Sequence, residues 1–171
     1  ITLFNVNFKN TNLNAENFMC EDSINILNSH GKINNINIIN SLFDGLDIDF
    51  SNLNINQILV NNAGNDCLDF SAGTYNVLKS DLSYCKDKGI SVGEKSLAKF
   101  MNTKIKYSNL AVASKDSSVV SFEKLNIYNV NVCLSAYKKK QEFSESKLKV
   151  TNLRCINYFN EKKNYSIKRQ I

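Results

Sequence analysis

The run Asp44-Gly45-Leu46-Asp47-Ile48 returns 22 residues later as Asp66-Cys67-Leu68-Asp69-Phe70. Followed in both directions, the first apolar position becomes a column at constant spacing: Ile24, Leu46, Leu68, Ile90, Val112, Leu134 and Ile156. Two positions on, a second column runs Ile26, Ile48, Phe70, Val92, then Ser114, Ala136 and Tyr158. A fixed period in this range marks stacked repeats, each burying its apolar face against the next. Columns two residues apart mean extended strands with alternate side chains inward. The residue between them then points outward: Asp47, Asp69, Ser91, Ala113 and Ser135.

Further apolar pairs follow in each repeat. Leu53/Ile55, Tyr75/Val77 and Phe122/Leu125 form one group; Ile36/Ile38, Ile58/Val60, Leu82/Tyr84 and Ile105/Tyr107 form another. Each repeat therefore holds two or three short strands, separated by turn residues such as Asn61-Asn62-Ala63-Gly64 and Lys86-Asp87-Lys88-Gly89. No long stretch has helical spacing, and the absence of Pro suits strands paired on both sides. A leucine-rich repeat shares the period but needs a helix or 3₁₀ turn per repeat. The alternating pattern instead predicts an all-β, right-handed parallel β-helix of about seven coils of about 22 residues. Asn at equivalent turns either stacks in amide ladders or reflects biased composition. Phe100, Tyr107 and Tyr128 are expected in the core.

Residues 1–160 are read as one β-helix domain and 161–171 as a polar basic end. The chain opens in a strand-like run, Ile1 to Phe8, with no signal peptide, which reads as part of a longer polypeptide with flanking domains. No apolar run is long enough to span a membrane, and an extracellular or cell-surface location is expected. Net charge is +5, unevenly spread. Residues 1–86 carry four Lys/Arg and nine Asp/Glu, so 4 − 9 = −5; residues 87–171 carry seventeen and seven, so 17 − 7 = +10. A basic half suits either solvated surface or an anionic polymer.

The five cysteines include no Cys-x-x-Cys pair, and the one histidine, His30, has no cysteine near it in sequence and reads as a turn residue. No metal and no cofactor is expected. Cys67, Cys133 and Cys155 fall in the small-residue column with Gly45, Gly89 and Ala111. In-register parallel neighbours rarely have side-chain vectors suited to a disulfide, so packed free thiols are expected.

Four runs at one phase of successive repeats depart most from the simple pattern: Asn65 to Ser71, Asp87 to Ser96, Ala113 to Ser118 and Ala136 to Phe143. These runs resemble right-handed parallel β-helix segments of bacterial surface proteins, some of them attached to CotH-type kinase domains. The resemblance spans about the middle half of the chain and implies a pectin-lyase-like fold; it implies no particular reaction.

By parity, Asp47, Asp69, Ser91, Lys115 and Tyr137 share one outward face, with Asp69 beside Ser91 and Lys115 beside Tyr137. Glu94, Asp116, Lys138 and Lys139 follow at the strand ends. The functional expectation is a groove for a polysaccharide or other anionic polymer. Asp47 and Asp69 would do acid/base work in hydrolysis. Lys115 with Tyr137 would abstract a proton in a lyase or epimerase. Ser91, Glu94, Asp116, Lys138 and Lys139 would bind substrate. The competing expectation is a structural or adhesive module whose charges pair across the ladder and specify register.

Overall fold

The computed structural model describes the backbone of residues 1–163 and 167–169, and side chains up to residue 159. Twelve strands appear among them: β1 (Thr2–Phe4), β2 (Asn7–Phe18), β3 (Asp22–Leu27), β4 (His30–Ser41), β5 (Asp44–Asp49), β6 (Asn52–Ala63), β7 (Leu68–Ser71), β8 (Thr74–Gly93), β9 (Leu97–Lys115), β10 (Val119–Tyr137), β11 (Lys147–Lys163) and β12 (Ile167–Arg169). No helix is present among the described residues, so none there could cross a membrane. All pairings are parallel, β1-β3-β5-β7-β8 on one face and β2-β4-β6-β8 on another, continuing through β9 to β12. The chain is a right-handed parallel β-helix of about six turns. The register is that of the repeat: Ile24↔Leu46, Leu46↔Leu68, Leu68↔Ile90, Ile90↔Val112 and Val112↔Leu134.

The core is the stack of those columns. Both apolar columns of the first strand are buried at least from Ile24 to Val92, with Ile33, Ile55, Phe100 and Phe122 closing the interior from the other sides. Phe100 and Phe122 stack with centroids 4.9 Å apart, so the interior repeats ring on ring as the backbone repeats strand on strand. Tyr75 is wholly buried, and its hydroxyl donates to Ser71 O at 2.6 Å and Ile48 O at 3.0 Å. Gly73 makes room for it: a Cβ there would lie 2.3 Å from that hydroxyl oxygen.

The corner after the first strand is built by serines. Ser29, Ser51, Ser96 and Ser118 are buried at equivalent places. Ser51 Oγ accepts the Ser29 amide at 2.9 Å and donates to Asp49 O at 2.7 Å, which satisfies backbone groups the turn would otherwise orphan. A second corner uses left-handed residues in the column Asn17, Asn40, Asn62, Tyr84, Tyr107, Asn129 and Asn157, all with φ between 55° and 70°. Asn tolerates that conformation best among residues with side chains. Its amides stack where Asn recurs, Asn62 to Asn40 at 3.0 Å and Asn40 to Asn17 at 2.8 Å.

Four expectations need correction. After Tyr137 the period breaks: Tyr128 pairs with Ile156, 28 residues on, whereas Lys106 to Tyr128 is 22, so 28 − 22 = 6 residues are inserted. Ile156 and Tyr158 therefore leave the apolar columns, and Lys162 takes the place opposite Leu134. The same slip moves Cys155 opposite Ile127, on the wall that faces the small-residue column across the narrow corner. There it bonds Cys133, and Cys67 likewise bonds Cys85; the expected packed thiols are two disulfides, with Cys20 free and exposed. The geometric objection held for in-register neighbours, but these pairs cross the corner instead. Tyr107 is exposed and Tyr128 half-buried, whereas Phe100 lies in the core as expected. His30 opens β4 and is exposed, so it sits in a strand and not a turn. Of the expected basic end, β11 continues to Lys163 and β12 pairs with it at Leu148↔Ile167; residues 164–166 and 170–171 lie outside the described residues.

Candidate functional site

The outward face of the first strand carries two ranks of side chains. One is Asn25, Asp47, Asp69, Ser91, Ala113 and Ser135; the other is Leu27, Asp49, Ser71, Gly93, Lys115 and Tyr137. The register places Asp47 beside Asp69, Asp69 beside Ser91, and Lys115 beside Tyr137. The face is not an evenly open row. Lys115 is only 9% exposed: its stem lies over Gly93, where a Cβ would be 3.4 Å from Cε, and its Nζ reaches back two coils to Asp69 Oδ2 at 3.8 Å. Tyr137 is half-buried, and burial pushes its phenol pKa up; the strongest charges it senses are those of Lys88, Asp66 and Asp87. Ser91 and Ala113 have no exposed surface, and Ser91 Oγ has no hydrogen-bond partner among the described residues.

The open part is acidic. Asp47, Asp49 and Asp69 are half-exposed on adjacent coils. Asp47 accepts a hydrogen bond from Asn25 at 3.2 Å, and its pKa is pushed up to about 8 by burial first and then by Asp49, Asp22 and Asp69. Asp49 is raised by burial and by Asp69. At neutral pH Asp47 therefore carries a proton much of the time, which makes it a donor beside the Asp69 acceptor.

At the start of the strand, Asp44 and Asp66 hold the next coil. Asp44 Oδ1 accepts the Asp66 amide at 2.7 Å, and Asp66 Oδ1 accepts the Lys88 amide at 3.0 Å. Burial pushes Asp66 up to about 6 in spite of the Lys88 ammonium 3.2 Å away. Burial also pulls on Lys88, but Asp87 and Asp66 outweigh it and hold its pKa above the usual value. These groups build the face; their polar atoms are already engaged.

At the other strand end, Asp116 is buried and its Oδ1 accepts the amides of Lys139 and Lys140 at 2.6 and 2.8 Å. It anchors the inserted loop. Ser146 fastens the far end by donating to Ser114 O at 2.6 Å. Lys138 and Lys139 are exposed on this loop, while Lys140 folds back to pair with Glu94, and Phe143 lies 5.8 Å from Lys95 Nζ. The structure thus brings Asp47, Asp69, Lys115 and Tyr137 onto one face, with Glu94, Lys138 and Lys139 at its rim and Asp116 beneath it. Sequence reasoning missed Lys88 and Lys140, because their partners lie one and two coils away.

It also missed a second exposed feature. Tyr84 and Tyr107 occupy the left-handed corner column that holds Asn on either side, and their rings stack 4.7 Å apart at an interplanar angle of 12°. Tyr in that conformation costs about 1–2 kcal/mol. Following the Asn column through the repeats would have exposed the exception.

No family model matches the chain, nor does any curated protein or solved structure. Among the described residues no group of three or more His, Cys, Asp or Glu side chains is placed to hold a metal ion.

Proposed function

We propose that this β-helix binds an extended extracellular or cell-surface polysaccharide across the Asp47–Asp69 face. The observation that carries this reading is the row of half-exposed Asp47, Asp49 and Asp69, one of them pushed to about 8, on a face rimmed by an inserted lysine loop. Carboxyl groups at coil spacing offer donors and acceptors to the hydroxyls of successive sugars. A protonated Asp47 beside Asp69, with coils about 4.8 Å apart, also suits the two carboxyl roles of a glycosidase, acid and nucleophile or base. Lyase chemistry through Lys115 and Tyr137 is less well supported. The Lys115 ammonium is paired with the Asp69 carboxylate, and burial raises the Tyr137 phenol, so the phenol does not readily give up the proton a base must lose. The disulfides fit an oxidising, extracellular address. The motif resemblance to surface-protein β-helices, including those attached to CotH-type domains, points the same way.

A second reading has its own support. Lys115–Asp69, Lys88–Asp66 and Lys140–Glu94 are paired, as expected of a structural or adhesive solenoid that uses charge to fix register. A screen of the purified domain against neutral and acidic polysaccharides separates the two, reading binding and chain cleavage. Under the proposal, Asp69→Asn and Lys115→Ala each weaken binding at least about tenfold, and Asp47→Asn abolishes any cleavage. Wild-type protein that is folded and binds nothing would leave the structural module.

A further inference from the structure

Beside the charged face, a shallow cleft of about 590 Å³ runs past the Tyr84–Tyr107 stack. The two rings are 54% and 44% exposed. Their corner column is otherwise Asn, as at Asn62 before them and Asn129 after them, so two coils accept strained backbone and exposed apolar rings where the fold itself is satisfied by Asn. Strain and exposure together mark positions retained for a use other than packing. The stack ends abruptly. Next to Tyr107 the column drops to Asn129, which also lines the cleft, so the aromatic ladder has a vacant place above a short side chain.

The surroundings of that place are polar and pre-arranged. Asn131 Nδ2 donates to Asn109 Oδ1 at 3.0 Å, and Asn109 Nδ2 to Asp87 Oδ1 at 3.3 Å, which orients both amides along one edge. Ser108 also lines the cleft and is 8% exposed; its buried Oγ has no hydrogen-bond partner among the described residues. A flat apolar surface with amides at its edge suits a ring that is apolar on one face and polar around its rim. A pyranose has that character: its axial C–H bonds carry slight positive charge toward the negative face of an aromatic ring, and its hydroxyls radiate outward.

We propose that the Tyr84–Tyr107 shelf is a saccharide subsite that stacks one pyranose of a neutral glycan, with Asn109 and Asn131 as its polar contacts. The identity of the ligand as a glycan rests on the polysaccharide reading above; the location does not use the charged face. Asp87, which receives Asn109, also binds Lys88 and through it Asp66, so the shelf borders the Asp47–Asp69 face, and one chain could cover both.

The chain has seven Tyr and no Trp, and the variant that tests the shelf removes two of them, so binding is read by isothermal titration calorimetry, which does not depend on those rings. The test titrates the whole chain with cellohexaose, chitohexaose, oligogalacturonate and single-stranded oligo(dT). It compares wild type with the double variant Tyr84→Asn, Tyr107→Asn and with Asp69→Asn. The tyrosine variant restores the Asn column, so it is expected to fold with a Tm no lower than wild type. The expected result is binding of a neutral hexasaccharide that the double variant weakens at least about tenfold. Such a loss with Asp69→Asn unaffected keeps the shelf and removes the charged-face reading. Sensitivity to Asp69→Asn with none to the tyrosine variant keeps that reading and overturns the shelf. Binding of oligo(dT) through the tyrosines, or of no saccharide by folded wild type, overturns the saccharide assignment.

Discussion

Asp47 shows how a residue on a regular strand acquires unusual chemistry from its neighbours alone. The repeat places Asp22, Asp44, Asp49 and Asp69 around it, and partial burial removes the water that would screen them, which together push its pKa from 3.8 to about 8. The folded state thus binds this proton more tightly than the unfolded chain. The stability so contributed is complete below about pH 4 and is lost as pH rises toward about 8. Asp47→Asn is therefore expected to match wild type near pH 4 and to be more stable at pH 8 by roughly 1–2 kcal/mol, a range reduced for the solvent that reaches the group. Thermal unfolding across that range checks it; a wild-type–variant gap that did not widen with pH would show that Asp47 titrates normally. Asp47 and Asp69 were legible as outward carboxylates because parity alone sets their direction. The burial of Lys115 was not, since its ammonium reaches back across Gly93 to an Asp69 carboxylate two coils away.

At the scale of the element, the insertion after Tyr137 does two things at once. It supplies the lysine-bearing loop that Asp116 anchors, and it shifts β11 so that Cys155 faces Cys133. The Cys133–Cys155 bond closes 22 residues and the Cys67–Cys85 bond closes 18, loops for which chain entropy gives about 3 kcal/mol each. The first ties the last coils to the stack, where fewer neighbours hold them. Cys133→Ser with Cys155→Ser is expected to cost about 2–4 kcal/mol and to raise amide exchange first in β11, measured by hydrogen exchange with mass spectrometry. Uniform exchange across all coils after the substitution would contradict this. The spacing in the sequence pointed to neighbouring coils for these cysteines; six extra residues, invisible to a rule of constant period, changed which wall Cys155 stands on.

Over the whole molecule, the charge imbalance becomes a polarity along the stack, acidic through residue 86 and basic beyond it. An anionic polymer is drawn to the basic half by long-range attraction, which salt screens over about 8–10 Å. A neutral glycan held by hydrogen bonds and ring stacking feels little of that. Between 50 and 300 mM NaCl, affinity for a neutral hexasaccharide is expected to change less than about twofold, and any affinity for polygalacturonate to fall several-fold or more. Isothermal titration at the two salt concentrations measures both. A steep salt dependence for the neutral ligand would mean that the basic half, and not the shelf or the carboxyl row, is the contact.

By itself, the chain's 22-residue spacing determined the β-helix, its register through Leu134 and the outward direction of the acidic row, because side-chain direction along a strand follows from parity and stacked repeats copy it from coil to coil. Only the tertiary structure decided which outward groups stay open, which cysteines meet and where the tyrosines stack. Those outcomes depend on distances between side chains one or two coils apart and across corners, and on an insertion that resets the count; no local pattern in the sequence carries them.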